Sequence, residues 1–73
     1  MNASIIITGV GAVIGQGIVK SLKEEDLGFK LVGIDANPFS VGFQWTDVSY
    51  TVPRTDDPLW IASIIEICNR ENV

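Results

Sequence analysis

Residues 3–15 read Ala-Ser-Ile-Ile-Ile-Thr-Gly-Val-Gly-Ala-Val-Ile-Gly, and this stretch decides the fold class. Its three consecutive isoleucines predict a strand over residues 3–8 that is buried on both faces, as the strands of parallel sheets are. Glycines then interrupt the strand, and a helical period begins at residue 12. A buried strand that runs through a glycine turn into a helix is the opening unit of an open, doubly wound α/β domain.

The first helix is predicted over residues 12–25. Four apolar residues recur there at helical spacing: Ile14, Ile18, Val19 and Leu22. We expect this stripe to pack on the sheet while the polar residues face solvent. Gly28 supplies a left-handed stop after the helix.

Two further strands and a second helix are predicted downstream. Residues 29–34 form the second strand, and residues 49–52 form a short third strand. Their connection is short for a parallel crossover, so a loop or a single helical turn must make it. Asp57 and Pro58 predict the start of the second helix, as an acidic N-cap followed by proline at the first helical position. The expected apolar face of this helix consists of Trp60, Ile61, Ile64, Ile65, Ile67 and Cys68.

Together these elements predict the first half of an open, parallel, Rossmann-like α/β domain with three strands and two main helices. A chain of 73 residues is long enough for one small core. An apolar last helix normally leads into another strand, so we expect residues 1–73 to be the amino-terminal fragment of a longer domain. The open sheet edge and uncovered apolar surface of such a fragment would favour self-association.

The charge pattern argues against several classes of partner. Nine acidic residues outnumber five basic ones, which gives a net charge of −4, and the basic residues are scattered. Neither nucleic acid nor an anionic membrane surface is therefore an expected partner. The start of the chain has no signal-peptide pattern, and no apolar run approaches the ~18 residues of a membrane span. We expect a cytoplasmic protein.

Side chains that carry catalysis are few. The sequence contains no His, so nucleophiles activated by His are excluded and the commonest metal ligand is missing. Cys68 is the single cysteine and lies in an apolar run, which is typical of a buried, inert thiol. We therefore predict no catalytic residue and no metal ligand in this chain.

The glycine turn is the first candidate binding site. Gly9 permits a tight turn, Gly11 leaves the backbone open to a ligand, and Gly15 lets the helix lie close to the strand. Amides from Gly9 through Val10 to Gly11, together with the helix dipole, favour an anion. The spacing G-x-G-x-x-x-G is one residue longer than the dinucleotide fingerprint, because Ile14 occupies the third glycine position. The alternative is that these glycines only shape the turn.

Two charged residues are expected at the carboxyl ends of the strands, where open α/β domains bind ligands. Asp35 follows the second strand and would either accept hydrogen bonds from a ribose or cap the turn after it. A ribose role for this acid would disfavour NADP. Arg54 follows the third strand and would either hold a carboxylate or phosphate or remain a solvated loop residue. Trp45 and Trp60 are expected to be packing residues.

Four motifs are spread along the chain: Ile7-Thr8-Gly9-Val10-Gly11, then Asp35-x-Asn37-Pro38 with Gly42, then Asp47, Tyr50 and Val52-Pro53, and finally Asp56-Asp57-Pro58. In this order they resemble the pre-ATP-grasp domain of ATP-grasp ligases, particularly that of the carbamoyl-phosphate synthase large chain family. The resemblance covers essentially the whole chain. The Asp-x-Asn-Pro stretch combined with the later Val-Pro is its more specific part.

The resemblance implies a parent enzyme that uses ATP and Mg²⁺ to activate a small-molecule carboxylate as an acyl phosphate and then joins it to an amine. This domain would form one side of the substrate site with its glycine loop, and Asn37 would belong to that site. The family's ATP-binding lysines and magnesium-binding residues lie in a downstream ATP-grasp domain, outside this chain. Residues 1–73 alone would be inactive.

Two other functions remain open at this point. Gly9, Gly11, Gly15 and Asp35 would form the coenzyme half-site of an NAD-dependent oxidoreductase or epimerase. That class also needs a Tyr-x-x-x-Lys or an equivalent, and neither Tyr nor Lys occurs after Tyr50. The other alternative is a small interaction module without catalysis.

Overall fold

The computed structural model describes residues 3–25 and 27–73 of the chain. Its elements in chain order are β1 (Ser4–Thr8), α1 (Val13–Glu25), β2 (Lys30–Asp35), a 3₁₀ helix (Val41–Trp45), β3 (Val48–Thr51) and α2 (Trp60–Glu71). The second and third strands are each displaced by one residue from the predicted bounds. No helix in this part of the chain is long and apolar enough to cross a membrane.

The described strands form one parallel sheet in the order β1-β2-β3. Ile6 of β1 pairs with Val32 of β2, which in turn pairs with Val48 of β3. The helix α1 lies on one face of the sheet with the 3₁₀ helix, and α2 packs on the other face. The predicted three-stranded half of an open, parallel, Rossmann-like domain is therefore confirmed.

Two apolar clusters hold these layers together, one on each face of the sheet. The cluster under α1 is built on Ile7, Val10, Val19 and Leu31. The cluster under α2 is built on Val32, Ile34, Val52 and Ile67. Leu31 and Val32 are neighbours in β2 but face opposite clusters, because side chains alternate along a strand. This is why the predicted central strand is apolar at nearly every position.

The 3₁₀ helix makes the crossover between β2 and β3, as expected for so short a connection. It can lie this close to the glycine turn because residue 42 is glycine. A Cβ atom at Gly42 would stand 2.6 Å from the carbonyl carbon of Val10, which no side chain tolerates without backbone movement. Lys20 of α1 also covers the 3₁₀ helix, with its Nζ atom 4.5 Å from the centre of the Trp45 ring.

The predicted apolar face of α1 is wrong at two positions. Ile14 is 78% exposed and Ile18 is 47% exposed. The face turned to the sheet instead carries Gly15, Val19 and Leu22. The cause is the close approach of α1 to the glycine turn, because a Cβ atom at Gly15 would lie 2.9 Å from the carbonyl carbon of Gly9. This contact fixes the rotation of the helix and turns the two isoleucines outward.

The start of α2 also differs from the prediction. The N-cap of α2 is Leu59 and not the predicted Asp57, although the Oδ1 atom of Asp57 accepts a hydrogen bond from the Leu59 amide at 2.8 Å. The Trp60 amide bonds back to the carbonyl of Asp57 at 3.0 Å, and this i to i+3 bond closes the first turn as a tight turn. The regular α-helix therefore begins at Trp60, three residues after Asp57.

The buried face of α2 is also rotated from the predicted one. Trp60, Ile64 and Ile67 pack on the sheet, whereas Ile61 and Ile65 are 61% and 55% exposed. The buried stripe continues to Glu71, whose carboxylate has two partners, Lys30 at the amino end of β2 and the Tyr50 hydroxyl of β3. A polar residue in the last turn was not expected to be part of the packed face.

Glu71 joins the end of α2 to two strands. Its Oε1 atom lies 2.6 Å from the Lys30 Nζ atom of β2, and its Oε2 atom accepts a hydrogen bond from the Tyr50 hydroxyl of β3. The hydrogen bond from Lys30, and after it the one from Tyr50, holds the pKa of Glu71 below its ordinary value. The same hydrogen bond raises the pKa of Lys30. A buried carboxylate near the carboxyl end of a helix is unfavourable by itself. The positive charge of Lys30 compensates this cost for Glu71.

Candidate functional site

A cleft of about 430 Å³ opens at the carboxyl ends of the three strands. Thr8 and Gly9 line it from β1, Asp35 from β2, Arg54 from the segment after β3, and Trp60 from α2. The carboxyl edge of the strands is where open α/β sheets bind ligands. Gly9, Asp35 and Arg54 were predicted as site residues, and the fold brings these three to one cleft.

The turn after β1 owes its shape to Gly9, whose φ of 62° lies in the left-handed region. The turn closes through a hydrogen bond of 2.9 Å from the Ala12 amide to the Gly9 carbonyl. Val10, also a predicted site residue, is fully buried in the core, and its amide donates to the Ile34 carbonyl at 3.3 Å. Its side chain thus anchors the turn in the core under α1.

Asp35 connects the glycine turn with the segment after β2. Its Oδ2 atom accepts a hydrogen bond from the Gly11 amide at 2.6 Å, and its Oδ1 atom accepts one from the Asn37 amide at 3.1 Å. Asn37 repeats the pattern, since its Oδ1 atom accepts from the Phe39 amide at 2.9 Å. The turn-capping role considered for Asp35 is therefore observed, and Asn37 is a second cap of the same kind.

The hydrogen bond from the Gly11 amide to Asp35 leaves the glycine turn with fewer free amides for an anion. Of the amides predicted to bind an anion, those of Val10 and Gly11 already have acceptors within the protein, and so does the neighbouring amide of Ala12. A carboxylate stands at the Gly11 amide, so an incoming anion would meet its negative charge there. A Cβ atom at Gly11 would lie 2.6 Å from Asp35 Oδ2 and 2.8 Å from Ser40 Oγ, so protein atoms make the close approach that was expected of a ligand.

Arg54 is the cationic residue that lines the cleft. Its Nε atom lies 3.6 Å from Asp56 Oδ1, and both side chains are largely exposed, at 82% and 78%. An exposed pair at this distance is weak. The two terminal nitrogens of the guanidinium are therefore available to a carboxylate or phosphate, which they can hold in a bidentate manner.

Two residues of this region were missed or only partly understood from the sequence. Trp60 packs on the cluster under α2, as predicted, but also lines the cleft and gives it an aromatic surface. Trp60 is the first residue of a helix that starts at the carboxyl edge of the sheet, and this position could have indicated that its side chain lines the cleft. Ser40 is 8% exposed, and its Oγ atom has no hydrogen-bond partner within the described residues. Nothing in the sequence distinguished this serine from an ordinary loop residue.

The cleft has the character of a binding surface. Its ionisable residues among those described are Asp35 and Arg54, flanked by the hydroxyls of Thr8 and Thr55. Cys68 does not line it and lies half-buried on α2. In residues 3–25 and 27–73, no three His, Cys, Asp or Glu side chains come together to hold a metal ion. The cleft thus presents one carboxylate, that of Asp35, and one guanidinium, that of Arg54.

Comparison with known proteins agrees with the fold described above. The family model described as "PylC-like, N-terminal domain" matches residues 5–73, which include both helices, β2, β3 and all of β1 except Ser4. A search of curated proteins found no match. The family match favours a ligase over the NAD-binding alternative, and it confirms the resemblance to ATP-grasp enzymes without confirming the carbamoyl-phosphate synthase type. The chain belongs to the PylC-like N-terminal domain family, a pre-ATP-grasp domain of ATP-grasp ligases.

Proposed function

We propose that residues 1–73 are the substrate-side domain of an ATP-grasp ligase that joins a small-molecule carboxylate to an amine. Membership of the PylC-like N-terminal family supports the ligase class. In this reaction ATP supplies the phosphoryl group that converts the carboxylate into an acyl phosphate, from which the amine displaces phosphate. A carbamoyl-phosphate-synthase-like enzyme is one version of the proposal, with a carboxylate as small as bicarbonate.

Nucleotide and metal binding belong, in this proposal, to the downstream ATP-grasp domain of the parent enzyme. The described residues contain no cluster of three metal-ligating side chains, so we assign no Mg²⁺ ligand to this chain. The residues of this domain orient the carboxylate and cover it from one side. On that basis the 73-residue chain by itself should neither hydrolyse ATP nor form an amide.

The cleft at the carboxyl edge is the observation that carries the proposal. Arg54 supplies a guanidinium for a substrate carboxylate, and Trp60 supplies an apolar surface for the carbon skeleton. A volume of about 430 Å³ is that of a small-molecule pocket, within the usual range of roughly 300–1,000 Å³. Since the Gly11 amide already bonds to Asp35, Arg54 is the residue we expect to make the first contact with an anion.

The glycine turn forms the second side of the proposed substrate site. An anion can bind the Gly11 amide only if the Asp35 carboxylate leaves it, because one amide hydrogen cannot serve both acceptors at full strength. Closure of the downstream domain over the substrate would be the step that rearranges this turn. The glycine at position 11 would then matter in the closed enzyme, where a side chain would occupy the place of the anion.

Arg54→Ala in the full-length enzyme tests the proposal. Hydroxylamine intercepts an acyl phosphate as a hydroxamate, so ATP-dependent hydroxamate formation identifies the carboxylates that the enzyme activates. We expect Arg54→Ala to raise KM for the carboxylate about 10- to 100-fold, as loss of a charged hydrogen bond does. Arg70→Ala is the matched control, because Arg70 pairs with Glu66 and does not line the cleft. Equal effects of the two variants would contradict a substrate role for Arg54.

Two further measurements examine the rest of the proposal. Gly11→Val in the full-length enzyme should lower kcat/KM for the carboxylate, and unchanged kinetics would remove the glycine turn from the substrate site. The purified 73-residue chain should show no ATP hydrolysis above a blank. ATP-dependent hydroxamate formation by this chain alone would contradict the assignment of nucleotide chemistry to another domain.

A further inference from the structure

Ser40 carries a buried hydroxyl group for which the fold supplies no partner. The residue is 8% exposed, and its Oγ atom is shielded from solvent and forms no hydrogen bond within the described residues. The backbone groups of Ser40 are paired, since its amide donates to the Asn37 carbonyl at 3.1 Å and its carbonyl accepts from the Phe43 amide at 3.2 Å. Buried polar groups are nearly always paired, so an unpaired hydroxyl requires an explanation.

Helix capping does not explain this hydroxyl. Ser40 is the N-cap of the 3₁₀ helix, a position where a serine side chain commonly accepts a hydrogen bond from an amide of the first turn. Ser40 makes no such bond in the part of the chain that the structure describes. Its Oγ atom lies instead at the glycine turn, 2.8 Å from the place that a Cβ atom at Gly11 would occupy. The hydroxyl therefore belongs with the groups around Gly11.

The Asp35 carboxylate is an acceptor beside this hydroxyl. Asp35 Oδ2 lies 2.6 Å from the same Cβ position, so the two oxygens are both within 2.8 Å of one point. Ser40 does not line the cleft, and its shielded Oγ atom is out of reach of a ligand bound there. A partner for the hydroxyl must consequently come from the protein, and Asp35 is placed to provide it.

Asp35 has a reason to change its partner. Its Oδ2 atom accepts from the Gly11 amide at 2.6 Å, which is the amide that a substrate anion would take. Its Oδ1 atom accepts from the Asn37 amide at 3.1 Å, and this second bond can stay in place. A displaced Oδ2 atom would stand beside the anion without a donor, and an unpaired charged acceptor is costly. The χ2 torsion of aspartate has no sharp minimum, so a rotation of the carboxylate moves Oδ2 to a new donor at little cost.

We propose that Ser40 is a positioning residue, whose hydroxyl donates to Asp35 Oδ2 when an oxyanion takes the Gly11 amide. This inference rests on the proposed function and names the group that receives the displaced carboxylate. Asp35 keeps two donors in both states. In the free protein these are the Gly11 and Asn37 amides, and in the anion-bound protein the Ser40 hydroxyl replaces the Gly11 amide. Ser40 thus acts through Asp35 and does not touch the substrate.

Ser40→Ala in the full-length enzyme tests this role, with Ser63→Ala as the matched control. The Ser63 hydroxyl donates to the Leu59 carbonyl at 2.9 Å, and Ser63 does not line the cleft. In ATP-dependent hydroxamate formation, Ser40→Ala should raise KM for the carboxylate about 10-fold, as loss of one hydrogen bond to a charged group does. Its kcat should stay near that of the wild type, and Ser63→Ala should change neither constant. An unchanged KM in Ser40→Ala would overturn the proposal.

Two further variants separate a hydroxyl that acts through Asp35 from one with another role. Ser40→Cys fills a similar space with a weak donor, so it should raise KM as Ser40→Ala does. In an Asp35→Ala enzyme the hydroxyl has no carboxylate to receive, so adding Ser40→Ala should leave KM unchanged. A wild-type KM in Ser40→Cys would contradict a positioning role, because the side chain would then only fill space. A full effect of Ser40→Ala beside Asp35→Ala would also contradict it, because Ser40 would then bind the anion itself.

Inorganic phosphate is a probe that does not depend on ligase activity. In the full-length enzyme labelled with ¹⁵N-glycine, phosphate should shift the Gly11 amide resonance, and Ser40→Ala should weaken this binding about 10-fold. If the wild type forms no hydroxamate, the proposed function fails and this titration still decides whether Asp35 exchanges its partner. Equal phosphate affinity of the two proteins, or a wild-type Gly11 resonance that phosphate leaves unchanged, would refute the exchange.

The 73-residue chain allows a third measurement, because an unpaired hydroxyl does not stabilise the fold. Ser40→Ala removes a buried group that has no partner within the described residues, so it should raise Tm by about 4–8 °C in thermal unfolding followed by circular dichroism. A hydroxyl that already had a partner would give the opposite sign. An unchanged or lower Tm in Ser40→Ala would therefore contradict a hydroxyl that is unpaired until Asp35 moves.

Discussion

Two glycines of α1 provide a matched test of how the helix is seated on the sheet. Gly15 and Gly17 stand in the same helix, two residues apart, and an alanine at either position gains the same intrinsic helix stability. A Cβ atom at Gly17 would have no neighbour within 4 Å, whereas one at Gly15 would lie 2.9 Å from the Gly9 carbonyl carbon and 3.0 Å from the Val10 Cα atom. The difference between the two variants therefore isolates this contact.

The magnitudes follow from helix propensity and overpacking. Alanine is more favourable than glycine in a helix interior by about 1 kcal/mol, so Gly17→Ala should stabilise the fold by about that amount. Overpacking costs about 1–3 kcal/mol, and at Gly15 the upper value applies because the atoms that would be struck are backbone atoms. Gly15→Ala should thus destabilise by about 2 kcal/mol net, and the two variants should differ by about 3 kcal/mol.

Thermal and urea unfolding of both variants, followed by circular dichroism in dilute solution, measure this difference. For a domain of this size 1 kcal/mol changes Tm by about 4–8 °C, so Gly17→Ala should raise Tm by about that amount and Gly15→Ala should lower it by roughly 8–16 °C. Equal stabilisation by both alanines would refute the seating of α1 on the glycine turn. That result would instead support the predicted packing, in which Ile14 and Ile18 face the sheet.

Substitutions at three further residues have defined outcomes. The unfolding free energy should fall as the pH drops below 4.5, the ordinary pKa of Glu71, because its lowered pKa contributes stability only while the carboxylate is ionised. Glu71→Gln should flatten this acid limb in a pH series of urea melts, and an unchanged limb would contradict the Lys30 pairing. Asn72→Ala should cost about 1 kcal/mol in the same melts because Asn72 has φ of 57°, whereas Asn72→Gly should cost nothing. Asp57→Ala should cost about 1 kcal/mol through loss of the hydrogen bond from the Leu59 amide, and Asp57→Asn, which keeps an acceptor oxygen, should retain most of that stability.

The strands and their topology were predictable because local signals and topology rules agree. Three successive isoleucines and the apolar second strand require burial on both faces, which only a parallel sheet with helices on both sides provides. The connection between β2 and β3 is too short for a full helix, and the structure contains the single 3₁₀ helix that this length allows. The carboxyl ends of parallel strands lie at one edge of the sheet. It could therefore also be predicted that Asp35 and Arg54 line the same cleft.

The faces of α1 and α2 that pack on the sheet were not predictable from periodicity. Periodicity counts the apolar residues on each face, but it does not show which residues lie closest to the sheet. In α1 the spacing of the isoleucines is regular, but the residue that meets the sheet most closely is Gly15, which has no side chain to enter such a count. In α2 the buried stripe ends in Glu71, which is a polar residue in any periodicity analysis. Only the position of Lys30, distant in sequence, makes burial of that carboxylate favourable.

The two ends of the sheet therefore differ in how their charges are held. At the amino ends of the strands, Glu71 is buried and bonded to side chains of β2 and β3, so its removal affects the packing of α2. At the carboxyl ends, Asp35 bonds only to backbone amides of loops, and Arg54 forms one weak pair in solvent. In the proposed function, a ligand anion would replace Asp35 at the Gly11 amide, or Asp56 at Arg54, without breaking a contact of the two apolar clusters. Rearrangement at the cleft is thus separated from the stability of the fold, which is what a substrate-side domain requires if another domain closes on it.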